Sequence, residues 1–95
     1  MTQTPAIGRI VHVLVDPQIN NGSDVAPAVI TRVWSEGAPG VWAVNVRALL
    51  DAIPMPGEWA TSRYLHADEA AARAAMGDDK PDFHISVHAF WPAKV

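Results

Sequence analysis

Cysteine is absent from the 95-residue chain, so disulfides and thiolate metal sites are excluded. Charge is scarce. Only 18% of residues are charged while 49% are hydrophobic, the reverse of a disordered chain. So little polar surface on so short a chain predicts a second buried face, and self-association is expected. Basic residues are few and scattered: Arg9, Arg32, Arg47, Arg63, Arg73, Lys80 and Lys94, within a net charge of -3. That distribution argues against a duplex nucleic acid partner. It leaves room for a small anion, because two or three converging arginines suffice.

Long apolar runs are also missing, and the opening MTQTPAIGR has no basic leader segment. A signal peptide and a membrane partner are not expected, and residence in the cytoplasm is. There is no internal repeat and no glycine-rich phosphate loop. None of Ser23, Ser35, Ser62 and Ser86 lies in a nucleophile-elbow pattern. Asp68-Glu69 fits helix capping and Asp78-Asp79 a solvated turn, rather than a carboxylate pair for acid–base work. The length suits one domain, 1–95.

What is present is alternation with period two. GRIVHVLV (8–15) sets Ile10, His12 and Leu14 against Val11, Val13 and Val15. Asp16-Pro17 stops it, and DPQINNGSD reads as a loop, with the sequon-like Asn21-Gly22-Ser23 as a turn. APAVITRVW (26–34) is the second strand, with Ala28, Ile30, Arg32 and Trp34 on one face. Ser35–Gly40 closes a hairpin onto VWAVNVRALL, where Trp42, Val44, Val46 and Ala48 form the apolar face. Leu49-Leu50 breaks the alternation, as a bulge or a strand end would.

Pro54–Gly57 is a stiff turn. EWATSRYLH (58–66) follows, with Trp59, Thr61, Arg63 and Leu65 on one side. Then the period changes. ADEAAARAAMG predicts a helix over about 67–76, capped by Asp68 and stopped by Gly77. The last strand places Phe83, Ile85, Val87, Ala89 and Trp91 opposite His84, Ser86, His88 and Phe90. The sum is a mainly β fold: a small five-stranded antiparallel SH3-like barrel with one short helix before the last strand. Barrel closure would hide the edges of so apolar a chain.

The histidines invite a metal reading. His84 and His88 stand four apart, but on a strand that separates them by roughly 13 Å, too far for one ion. Both are assigned to a solvent face, and His12 to a partly buried, hydrogen-bonded position. His12 and His66 would need a meeting specific to the fold. Neither a metal nor another cofactor is expected, and no catalytic residue is assigned. The tryptophans are dense: Trp34, Trp42, Trp59 and Trp91. One or two anchor the core. Trp34 with Arg32, and Trp59 with Thr61 and Arg63, share strand faces. Aromatic planes beside guanidinium groups suit a nucleobase with phosphates, and equally suit cation–π packing in a protein interface.

The ordered series GRIVHV (8–13), PAVITRVW (27–34), VNVR (44–47), WATS (59–62) and FWP (90–92) resembles a family of small tailed-bacteriophage proteins. Its pattern is close to GRIVHY, PAIVVRVW, VNLQVF, WATSV and W-x-W-P. This chain departs from it at Val13, in the AAARAAM insertion and at Phe90-Trp91. The resemblance implies a phage origin and expression in the host bacterial cytoplasm.

The expected function is therefore a non-enzymatic, oligomeric binding protein. Its partner would be a small anionic nucleotide-like ligand, as in a counter-defence protein that sequesters a cyclic nucleotide or ADP-ribose type signal. The alternative is a virion component, a head decoration or connector protein. In the first reading Arg32 and Arg63 contact phosphates and Trp34 or Trp59 stacks on a base. His12, Asn45 and Thr61 supply hydrogen bonds, and Trp91 anchors the core or an interface.

Overall fold

Alternating apolar residues can bury only one face of a strand, and here the buried faces close around a single interior. The computed structural model describes residues 4–51, 57–82 and 84–93. The elements are β1 (Ile10–Val15), a 3-10 turn (Pro17–Ile19), β2 (Val25–Glu36), β3 (Trp42–Leu49), β4 (Gly57–His66), α1 (Glu69–Met76) and β5 (Ile85–Phe90). The strands form a closed barrel in the order β1-β2-β3-β4-β5. This is the small SH3-like barrel with one short helix before the last strand that the pattern predicts. One pairing departs from it. β4 and β5 run parallel, because α1 carries the chain across between them instead of a hairpin reversing it. That seam has only three register pairs, Tyr64↔His88, Leu65↔Ala89 and His66↔Phe90.

Val11, Val13, Val15, Ala26, Ala28, Ile30, Val44, Val46, Ala48, Leu65, Ile85 and Ala89 fill the interior. Trp91 belongs to this core and Trp42 packs against it, which fixes the core tryptophans. Arg9 lies over the Trp91 ring at 5.1 Å. Leu50, the residue that breaks the alternation, turns into the core just beyond the end of β3. Leu14 and Phe90 point the other way and pack with Ala72 beneath α1. A helix of eight residues is marginal alone, so this docking holds it. Asp68 caps it by accepting from the Ala71 amide at 2.8 Å, and Gly77 ends it at a φ of +56°.

The loop after β1 is more ordered than its composition implies. Asp16 accepts from the Gln18 amide and starts the 3-10 turn. Buried Asn20 donates to the carbonyls of Ser23 and Val25 and accepts from the Asp51 amide. It thereby ties this loop to the end of β3. Phe83 and most of the Pro54–Gly57 turn, placed by the sequence pattern, lie outside the described residues.

Three register shifts within β2–β4 decide which of their side chains face outward. The β2–β3 register passes from Ile30↔Val46 to Arg32↔Asn45, so Thr31 is one extra residue in β2. A second shift follows between Val33↔Val44 and Ser35↔Ala43. The β3–β4 register jumps from Val44↔Arg63 to Val46↔Ala60, and Ser62 takes a φ of +57° there. Each inserted residue reverses the alternation beyond it.

Candidate functional site

Two sequence expectations are corrected by these bulges. Arg32 and Trp34 do not share the face of Ala28 and Ile30. The extra Thr31 turns them outward, while Val33 turns in against the core. Likewise Arg63 does not share the face of Trp59 and Thr61. It pairs with inward-facing Val44.

The outer face of β2–β3–β4 is organised by Asn45. Its side chain lies between two inward valines and so points out, yet it is only 6% exposed because its neighbours cover it. Asn45 Oδ1 accepts from Trp34 Nε1 at 2.8 Å, from the Thr61 hydroxyl at 2.9 Å and from the Ser62 amide at 2.9 Å. One carbonyl oxygen thus pins an indole, a hydroxyl and the bulge backbone across three strands. Trp34 remains 49% exposed, with the Arg32 guanidinium 4.0 Å from its ring centroid. Stacking of this kind fixes the planar cation at modest energy, about 0.5–1 kcal/mol at an exposed site.

Trp59 lies on the same face, 53% exposed, and pairs in register with Arg47. Arg47 is a member of this face that the sequence reading did not select. Its place two residues from Asn45, on the side of the third strand opposite Trp42, Val44, Val46 and Ala48, was the available signal. The outward positions of these strands near Asn45 therefore carry Arg32, Trp34, Arg47, Trp59 and Thr61, and no carboxylate. The chain is acidic overall, so two arginines without a carboxylate around Asn45 set this patch apart from the net charge of -3.

Of the expected ligand residues, the structure brings together Arg32, Trp34, Asn45 and Thr61, with Trp59 on the same face. His12 is elsewhere. It pairs with Pro27 and Phe90 and meets the Phe90 ring edge-on at 5.6 Å. Arg63 stands apart but adjoins the group, its Nη1 donating to the Thr61 carbonyl at 3.0 Å. Its Nε is buried without a hydrogen-bond partner, as is Glu58 Oε2. Burial pulls the Arg63 guanidinium below its ordinary pKa, and the Glu58 charge opposes that shift. Where β4 and β5 separate, a 120 Å³ cleft is lined by Arg63, Asp79, Lys80, His84, Ser86 and His88 among others.

A different pair of histidines meets than the one with helical spacing. His84 is exposed, as expected, with Nδ1 accepting from the Asp82 amide. His88 is not on a free solvent face. It is half-buried, with Nδ1 3.0 Å from His66 Nε2. The parallel seam makes this contact, which local spacing could not disclose. Burial lowers both imidazoles below their ordinary pKa. Mutual repulsion adds to the shift at His66, and Asp68 opposes it, while Asp79 opposes the shift at His88. Two neutral rings can share one proton between these nitrogens, one donating and one accepting. The Tyr64 ring tilts against His88 at 5.8 Å, and a cavity of about 290 Å³ opens beside the pair, lined by Gly37, Ala38, Val41 and Ala43.

No family model, curated protein or solved structure matches this chain. Among the described residues no helix is long and apolar enough to cross a membrane.

Proposed function

We propose that this chain is a non-enzymatic binding protein whose ligand is a small nucleotide-like anion, held on the outer face of β2–β4. The observation that carries this reading is the Asn45-pinned Trp34 with Arg32 stacked on it, where the outward positions near Asn45 hold no carboxylate among the described residues. A base would stack on the exposed indoles of Trp34 and Trp59, and phosphates would take Arg32 and Arg47. Pre-organisation supports the assignment, because a pinned indole loses little entropy on binding. Arg63, tied to Thr61, would supply a further contact if the ligand reaches the β4–β5 cleft.

Self-association belongs to the same reading. Ile7, Ile10, Leu49, Tyr64 and Val87 are exposed large apolar residues in addition to Trp34 and Trp59. The resemblance to small phage proteins makes sequestration of a nucleotide-derived host signal in the bacterial cytoplasm the role this chemistry fits. The same exposed residues favour a second reading, a virion decoration or connector protein, in which they cover a neighbouring subunit. Calorimetry against cyclic dinucleotides and ADP-ribose derivatives, followed by denaturation and recovery of the ligand, tests the first. Saturable binding with the ligand recovered intact supports it. Silence across the panel removes it, and conversion of the ligand removes the non-enzymatic part. Abundant copies in purified particles would transfer the assignment to the virion.

A further inference from the structure

We propose that His66 and His88 form a two-imidazole site for a borderline transition-metal ion such as Zn²⁺ or Cu²⁺. The case rests on geometry and is independent of the outer-face ligand. An ion bound by two imidazoles at 2.0–2.1 Å holds the ligating nitrogens about 2.9–3.4 Å apart, from octahedral to tetrahedral angles. His66 Nε2 and His88 Nδ1 are already 3.0 Å apart, with ring centroids at 5.1 Å. Rotation of the two rings about their side-chain bonds would turn both lone pairs toward a common point.

The backbone is held. The register pairs Tyr64↔His88 and His66↔Phe90 fix the two residues on neighbouring strands, and Leu65 and Ala89 between them are fully buried. The site is thus carried on rigid elements rather than loops. Each neutral ring carries one N–H. Binding moves the shared proton to the far nitrogen of the same ring, so both near nitrogens can donate a lone pair to the ion and no net proton is released.

Among the described residues no group of three or more His, Asp or Glu is placed to hold an ion. The two imidazoles therefore leave open coordination positions, which water or a small anion would fill from the adjoining cavity. That arrangement suits a labile ion more than a structural one.

The test uses metal-stripped full-length chain with ZnCl₂ and CuCl₂ as probes. Long-range nitrogen–proton spectra of the imidazoles read tautomer and ligation directly. The expected result is saturation at one equivalent, with Zn²⁺ shifting His66 Nε2 and His88 Nδ1 and leaving His12 and His84 in place. Cu²⁺ is expected to show hyperfine coupling to two nitrogens. His88→Gln, at the half-buried position, is expected to weaken binding about tenfold or more and remove one nitrogen coupling. His66→Gln should do the same if its spectrum remains folded. His84→Gln should bind as wild type. Shifts at His12 or His84 instead, or equal affinity in folded His88→Gln, would overturn the proposal.

Discussion

The outer face of β2–β4 and the seam between β4 and β5 are built by opposite means. The face is irregular in backbone and fixed in side chain: three bulges displace the register, and one buried amide oxygen pins what they turn outward. The seam is regular and fixed in backbone, with three parallel pairs, and it brings His66 Nε2 within 3.0 Å of His88 Nδ1. Bulges re-aim side chains at a surface, which is what a recognition face needs. A short parallel seam aligns residues 22 apart, which is what a two-residue site needs.

The difference can be broken from either side. The largest effect is expected at the seam. Leu65→Ala removes a fully buried side chain from the register position between those of His88 and His66 and should cost about 2–4 kcal/mol in urea unfolding. Asn45→Ala comes next, at about 2 kcal/mol, because three donors lose one acceptor. It should also free the Trp34 indole, seen as a red-shifted, more readily quenched tryptophan emission. A seam variant should leave that emission unchanged.

Trp59→Ala sharpens the comparison further. The residue is exposed, so stability should move by no more than about 0.5 kcal/mol, while nucleotide affinity should fall clearly in titration. Equal losses of stability and binding would mean that Trp59 is a packing residue.

The smallest effect lies away from both regions. Arg73 donates to both Asp24 and Glu69, and its guanidinium is raised above its ordinary pKa by these bonds. The Arg73 hydrogen bond in turn holds the Asp24 carboxyl below its ordinary 3.8. A carboxyl depressed in the folded state stabilises above the unfolded value, and the contribution is lost as pH falls through the folded one. Both partners are well exposed, so only a few tenths of a kcal/mol are expected. Wild type should therefore melt slightly above Asp24→Asn near neutrality, and the gap should close in acid.

The same contrast explains what could be read from the sequence. Alternation discloses which strand faces are apolar, so Val44, Val46 and Ala48 were legible as core, whereas Leu65, grouped by alternation with Trp59, Thr61 and Arg63, was not. Capping residues disclosed α1, because Asp68 and Gly77 act within one turn of their own position. A bulge depends on the partner strand's register. The single residues Thr31 and Ser62 therefore reversed Arg32, Trp34 and Arg63 without a local signal. The parallel β4–β5 pairing was hidden for a related reason. It follows from how α1 docks over Leu14 and Phe90, not from the residues that pair. Asn45 was selectable as a polar residue on a mixed face, but its three-strand role needed both bulges in place.

The outer-face account is tested most directly by the indole N–H resonances of the four tryptophans during titration with the best ligand from the nucleotide panel. Trp34 and Trp59 should shift together and saturate together. Trp42 and Trp91, held in or against the core, should stay where they are. Saturable binding that leaves Trp34 and Trp59 unmoved, or that shifts Trp42 or Trp91 instead, would contradict it.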